Sequence, residues 1–408
     1  MKLLQVNTTL ISSATGNIAF QIGQLSIANG DESFIAFSGR YPENKKTINS
    51  IRVGSKLDFY WHALITRIFD RHGFGSIRAT KKLIKKINVI KPDIIHIHNI
   101  HGYYLNIEVL FNYLAAAQIP VVWTLHDCWS LTGHCDHFEH VECNKWQTGC
   151  HTCPQKKLYP ASLIVDNSKA NYIDKNRLFN SVDNLTLVPV SNWLNSKLKY
   201  SFLKKYSSKV IQNGIDLEVF QPSSKNVLVK NFSQHKKFIL LGVASIWTEK
   251  KGFYEFIKLS KNLDDNFVIV LVGVSQKMKK ILPKNIISIN RTSNQQELAN
   301  IYSSADLYLN LTFEDSYPTT NLESIACGTP ILTYKTGGSI ESVIQDSGII
   351  VNRGDIESLV EKIQEIRSGI LPTLSSQDLR MIAIENFDKN INFEKYINLY
   401  RDILGISR

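Results

Sequence analysis

Two sets of short apolar runs alternate along this chain with stretches of helical character. The first set is Leu3 to Val6, Ile94 to His98, Val121 to Leu125 and Leu185 to Val190. The second is Phe238 to Val243, Phe267 to Val272, Ile286 to Ile289, Leu307 to Leu309, Ile331 to Tyr334 and Gly348 to Val351. Continuous apolar runs bounded by turn residues are the pattern of strands buried on both faces of a parallel sheet. Parallel neighbours need a crossover between them, which a helix supplies, so the alternation predicts doubly wound α/β domains. Two sets predict two Rossmann-like domains facing a cleft. A length of 408 residues likewise exceeds one typical domain.

The joint between the two sets is placed at Val210-Ile211-Gln212-Asn213-Gly214-Ile215-Asp216, where Asn-Gly marks a tight turn. The predicted domains are therefore 1–209 and 210–387. The tail carries Phe387, Phe393, Tyr396, Tyr400 and Leu404 at a spacing that buries one helical face.

Chemistry concentrates in the stretch from Phe313 to Pro330, which reads as a strand end, a loop, a helix start and a tight turn. Asp315 and Glu323 stand eight positions apart across the loop-to-helix junction. A helix N-terminus offers unpaired N–H groups and partial positive charge, and so binds phosphate. A carboxylate one turn inside the helix can accept hydrogen bonds from a ribose diol. One before the loop can reach the sugar beyond the phosphates. Tyr317, Pro318, Thr319, Thr320 and Asn321 would line the helix tip. Earlier, Gly242 to Phe253 reads as a strand, a loop and Lys250-Lys251-Gly252 at the next helix start. Two ammonium groups there would offset the charge of a departing nucleoside diphosphate. Without a ligand, the same segment is an ordinary helix with an acidic first turn.

The stretch Asn321-Leu322-Glu323-Ser324-Ile325-Ala326-Cys327-Gly328-Thr329-Pro330, continuing to Thr336-Gly337-Gly338, resembles the carboxylate–seven–carboxylate signature of family 4 glycosyltransferases. Asp315 stands where many members have Glu, and Pro318 follows in a variant associated with polysaccharide pathways. Lys251-Gly252 resembles the family's Arg…Lys-Gly signature, with Ile246 at the place of the Arg. The resemblance implies the two-domain GT-B fold, with an N-terminal acceptor-side domain and a C-terminal nucleotide-sugar-binding domain. It implies that helix 388–408 packs back on the first domain. It also implies sugar transfer with retention, from a nucleotide-sugar to a saccharide or lipid-linked acceptor in surface polysaccharide biosynthesis. A nucleotide-sugar epimerase of the same shape, or a non-catalytic nucleotide-sugar-binding protein, is the alternative. No cofactor is implied for catalysis.

In the first domain, Gly16 follows strand one in a run of small residues that would admit a donor phosphate or sugar, or make a plain turn. Gly273 ends a strand and would let a ligand approach the backbone. His98 and His126 fall at carboxyl ends of predicted strands, where α/β sheets face their ligands. His126 matches the histidine that approaches the donor sugar in the resembling family. His98 and His101 are assigned to the acceptor side. His96, earlier on its strand, reads as a buried, hydrogen-bonded residue.

Cys128, Cys135, Cys143, Cys150 and Cys153 crowd one segment. Cys135, Cys143, Cys150 and Cys153 are spaced as a candidate structural zinc site; disulfides and unligated thiols are the alternatives. A loop with little hydrophobic periodicity needs some staple, and a reducing compartment favours metal over disulfides. The expected compartment is the cytoplasm, since the first residues read as a strand and no run of about 18 apolar residues occurs.

The net charge of +11 is concentrated at Arg67, Arg71, Arg78, Lys81, Lys82, Lys85 and Lys86, and again between Lys197 and Lys209. The first cluster is interleaved with Phe59, Tyr60, Trp61, Leu64 and Phe69. Such a segment lies on an anionic membrane surface or packs with a solvated basic face. No nucleic-acid module accompanies the charge, so no nucleic-acid partner is expected.

Overall fold

The computed structural model describes residues 1–39, 48–223 and 237–406. The chain divides into two units, Met1–Gln212 with Asn392–Arg408, and Asn213–Ile391.

The first unit holds β1 (Lys2–Asn7), α1 (Ala14–Ala28), β2 (Glu32–Phe37), β3 (Asn49–Arg52), α2 (Lys56–Phe69), α3 (Ile77–Ile90), β4 (Ile94–Ile97), α4 (Ile107–Ala117), β5 (Val121–Leu125), α5 (Ser168–Phe179), β6 (Leu185–Pro189) and α6 (Asn192–Leu198). The second holds β7 (Phe238–Val243), α7 (Phe253–Ser260), β8 (Phe267–Val272), α8 (Gln276–Lys279), β9 (Ile286–Ile289), α9 (Gln295–Ser304), β10 (Leu307–Asn310), α10 (Thr319–Ala326), β11 (Ile331–Tyr334), β12 (Gly348–Val351), α11 (Ile356–Ser368) and α12 (Ser376–Asn386). Helix α13 (Lys389–Leu404) starts in the second unit and ends in the first.

Each unit carries a parallel six-stranded sheet, in the orders β3-β2-β1-β4-β5-β6 and β12-β11-β10-β7-β8-β9. Both are the doubly wound order, reversing direction between the first and fourth strands of the unit. That reversal lies between β1 and β4 in one sheet and between β7 and β10 in the other. The sequence reading did not include β2 and β3. Glu32-Ser33 makes the start of β2 polar, and β3 is a four-residue edge strand with one buried position. Behind its polar start β2 does carry the apolar run Phe34-Ile35-Ala36-Phe37, whereas β3 carries none.

The apolar runs are buried because helices cover both sheet faces. Phe393, Tyr396, Ile397 and Tyr400 of α13 recur at three- and four-residue spacing, and pack with Leu3, Ile94, Val122 and Val188 of four neighbouring strands. Two of these rings also carry polar contacts into the sheet. Tyr400 Oη lies 2.6 Å from His96 Nδ1, and Thr124 Oγ1 bridges His96 Nε2 at 2.7 Å and Tyr396 Oη at 3.1 Å. His96 is thus buried and saturated, as read from its place inside the strand.

Replacing Tyr400 by Ala removes a fully buried ring and leaves His96 Nδ1 without its partner. A loss of about 3–5 kcal/mol is expected, read from the shift of the chemical denaturation midpoint. Tyr400→Phe keeps the ring and should lose only the hydrogen-bond share, about 1–3 kcal/mol.

Candidate active site

In the second unit, the loops leaving β7 and β10 flank the switch point, where doubly wound sheets take their ligands. They are zipped together by backbone and charge. Lys250 O accepts from Phe313 N at 2.7 Å and from Thr312 Oγ1 at 3.1 Å. Lys251 Nζ meets Asp315 Oδ2 at 2.6 Å, and Lys250 pairs with the buried carboxylate of Glu314. The two lysines therefore stand opposite two acids, and Glu314 is a member that sequence reasoning missed. No local pattern marked it, because Lys250 follows a strand that only the sheet order makes a neighbour. Lys251 remains 43% exposed at its side chain, so its ammonium can be shared with an incoming anion.

The chain turns from Asp315 into α10. Asp315 Oδ1 accepts from Tyr317 N at 3.3 Å, and Asp315 O accepts from Gly338 N at 3.0 Å. Pro318 occupies the N-cap and gives no side-chain hydrogen bond to the first turn. Proline cannot cap with a side chain as Ser or Asp would, so those first N–H groups lack such a cap. Thr319 and Thr320 are half-buried on that turn. Glu323 lies one turn further in and accepts from the Tyr302 hydroxyl at 3.1 Å. Burial raises its pKa to about 7, against hydrogen bonds from Tyr302 and Thr319 that favour the carboxylate.

Several predicted donor contacts turn out to be framework. Asn321 is fully buried, accepting from Asn310 Nδ2 and donating to Ser342 Oγ, each at 2.8 Å. Its amide locks α10 in place and is not offered to a ligand. The Tyr317 side chain is buried, and its carbonyl accepts from Asn213 Nδ2 at 3.2 Å. Gly273 has φ +92, and a Cβ there would meet the Ala244 carbonyl oxygen at 1.7 Å. The close approach that demands glycine is from the chain itself. Gly16 in the first unit is similar, since its Cβ would meet Thr9 Oγ1 at 2.5 Å.

In the first unit, the histidines at the strand ends form a directed chain. His126 Nε2 lies 3.1 Å from His98 Nδ1, and His98 Nε2 lies 3.0 Å from Gln5 Oε1. Gln5 Nε2 donates to Ala19 O at 2.8 Å, which fixes Gln5 Oε1 as the acceptor. His98 then carries its proton on Nε2, and its Nδ1 accepts from His126 Nε2–H. Burial holds both rings below the ordinary imidazole range, His126 at about 4, so both are neutral near pH 7. His126 consequently has Nδ1 as an acceptor. Gln5 sits inside β1 and gave no sequence signal, because only tertiary contact reveals its role.

His101 does something different. Its Nε2 lies 2.7 Å from Asp127 Oδ2, and its Nδ1 lies 3.1 Å from Tyr159 Oη. Burial alone would lower its pKa, but the Asp127 carboxylate overrides this and raises it. Burial likewise opposes the Asp127 carboxylate, yet the His101 charge and hydrogen bond bring its pKa to about 2. The histidines of this segment thus separate into neutral and charge-prone rings.

The cysteine segment folds over Lys175, a buried lysine whose ammonium donates to Trp129 O at 2.8 Å and Thr132 O at 2.9 Å. Cys135, Cys143, Cys150 and Cys153 line one cavity of about 20 Å³ with His134, Phe138 and Trp146. The Cys135 and Cys153 thiols are hydrogen-bonded, and Cys150 Sγ accepts from Gly133 N at 3.2 Å. Among the described residues, no three His, Cys, Asp or Glu side chains are arranged to hold a metal ion. The donor types fit zinc, and the four cysteines are free thiols.

Residues 224–374 match the family described as Glycosyl transferases group 1. Over 419 aligned residues the chain is 22% identical to an Escherichia coli protein named for colanic acid biosynthesis, the glycosyl transferase WcaC, covering 99% of this chain and 100% of that one. It is 24% identical over 359 residues to the alpha-monoglucosyldiacylglycerol synthase of Acholeplasma laidlawii, covering 81% of each. Among solved structures, sucrose-phosphate synthase from Thermosynechococcus elongatus superimposes with a TM-score of 0.73 at 16% identity, covering all of both chains. Anabaena HepE in complex with UDP gives 0.68 at 14% identity, over 98% of this chain and 100% of that one. With its two parallel sheets, the chain has the GT-B fold, and it is a glycosyltransferase.

The Glu323 pKa predicts a pH dependence. A folded-state value raised above the unfolded 4.5 contributes stability that is complete below about 4.5 and lost as pH rises through about 7. Between about pH 5 and 8, the wild-type melting temperature should therefore fall relative to that of Glu323→Gln. Parallel curves for the two proteins would contradict the burial of this carboxyl.

Proposed function

We propose that this glycosyltransferase is a retaining family 4 enzyme, moving a sugar from a nucleotide-sugar to a saccharide or lipid-linked saccharide in surface polysaccharide assembly. The observation that carries this is the arrangement around α10: a helix start without a side-chain cap, lysines tied to the loop before it, and a half-buried carboxyl one turn in. In this reading Thr319, Thr320 and the first-turn N–H groups hold the diphosphate, with Lys251 and Lys250 neutralising it. Glu323 accepts from the ribose hydroxyls. Asp315 and His126 orient the donor sugar, His126 through its Nδ1 lone pair. Departure of the nucleoside diphosphate leaves positive charge on the sugar ring, and its phosphate oxygen takes the acceptor proton. No side chain acts as a dedicated base. The relatives named for colanic acid biosynthesis and as an alpha-monoglucosyldiacylglycerol synthase support the acceptor class.

The direct test is transfer by Glu323→Ala and Lys251→Ala. Each should lower kcat/KM at least about tenfold, since each removes a charge-assisted contact to the donor. Unchanged turnover in both would reject these roles. NMR of the product should show the donor's anomeric configuration kept.

For the cysteine segment we propose a structural zinc ion on Cys135, Cys143, Cys150 and Cys153, supported by their shared cavity and the N–H···S contact at Cys150. Protein purified under reducing conditions should contain about one zinc per chain. Metal-free protein of unchanged thermal stability would discard the idea.

A further inference from the structure

Helix α2 is inside out. Its buried positions are His62 and Thr66, both polar. His62 Nε2 accepts from Gly73 N at 3.1 Å and Gly75 N at 3.3 Å, and its Nδ1–H lies 3.0 Å from Ser76 Oγ. Thr66 Oγ1 donates to His62 O. The polar contacts, together with a capping box at Ser55 and Asp58, hold the helix down. Its outward face is apolar: Leu57 is 81% exposed, Tyr60 66%, Trp61 62% and Leu64 46%. These positions repeat at three- and four-residue spacing, so they form one stripe.

The stripe extends at both ends. Beside the last turn of α2, Leu163 N donates to Arg67 O and Val165 N to Ile68 O, which places the exposed Leu163 and Ile164 next to exposed Phe69. At the other end, Leu57, Trp61 and Ile65 share a groove of about 490 Å³ with Phe74, Ile77 and Arg78. Arg78 begins the second feature. Arg78, Lys81, Lys82 and Lys85 share one face of α3, with Lys86 at its margin, and all five are exposed. Among the groove residues, the one acid is Asp58, which is engaged with Ser55 N and Oγ.

An exposed apolar stripe continuous with a stripe of cations is unfavourable in water but matches the boundary of an anionic bilayer. Apolar side chains, an indole and a phenol enter the acyl–headgroup boundary while lysines meet phosphates. We propose that α2 and α3 form a docking surface for an anionic lipid bilayer, with Leu57, Tyr60, Trp61 and Leu64 inserted and Arg78, Lys81, Lys82 and Lys85 on the headgroups. The inference goes beyond the donor-site reading and does not depend on it.

The test is co-sedimentation of the full chain with vesicles of phosphatidylglycerol and phosphatidylcholine, against vesicles of phosphatidylcholine alone. Binding is expected to the anionic vesicles and to fall at least about tenfold on them for Lys81→Gln/Lys82→Gln/Lys85→Gln, and again for Leu57→Ser/Trp61→Ser. Both variants are surface changes, and each should bind the nucleotide-sugar as wild type does. Trp61 should be quenched by brominated acyl chains, giving a signal that Trp61→Phe loses. The proposal is overturned by equal binding to both vesicle types, by no binding to either, or by binding that neither variant weakens. It is also overturned if sedimentation velocity shows a dimer that Leu57→Ser/Trp61→Ser dissociates, since the stripe would then cover a second copy.

Discussion

Parallel pairing governs this molecule. Two parallel strands cannot be joined by a tight turn, so each strand must be followed by a crossover that returns the chain to the same starting edge. All carboxyl ends therefore emerge on one edge of each sheet, and the winding reverses between β1 and β4 and between β7 and β10. Reversal sends neighbouring crossovers to opposite faces and leaves a gap between their loops. The loops carrying Lys250, Lys251, Glu314 and Asp315 flank the gap in one sheet. In the other, Thr8 Oγ1 donates towards Asn99 O and His101 O across the equivalent position. The chemistry of both units follows from this edge.

Charge and burial then divide the work. The two lysine–acid pairs hold two loops together without consuming all their charge, because Lys251 is still partly in water. Such pairs add little stability when exposed, and their value here is register. Glu323 is the opposite case, a half-buried carboxyl whose desolvation raises its proton affinity until it titrates near neutrality. The histidines repeat the contrast. Those beside Gln5 and Thr124 are neutral by desolvation, and His101 is drawn towards charge by Asp127.

The α/β character was legible because strands buried on both faces must be apolar throughout, as Phe238 to Val243 and Val121 to Leu125 are. The edge strand β3 escaped for the converse reason, since it shows a single buried residue. Glycines misled in a specific way. Gly16 and Gly273 do mark close approaches, but the approaching atoms belong to Thr9 and Ala244. A sequence shows that a side chain is unwelcome without showing what excludes it. Asn321 misled by proximity to the helix tip, although its amide points into the framework. Glu314 and Gln5 passed unnoticed because their partners are distant in sequence.

The sequence by itself determined which segments could be strands, that they would lie in parallel sheets under helices, and which charged residues would stand at the helix starts. Those properties are local: apolar runs, helix starts, and carboxylates at fixed spacing. Tertiary structure alone decided the partners: Lys250 with Glu314, His98 between His126 and Gln5, and Asn321 among Asn310 and Ser342. It also decided which face of α2 meets water, reversing what its apolar pattern would suggest. Protonation state, tautomer and exposure depend on atoms brought close from far along the chain, and no local pattern encodes them.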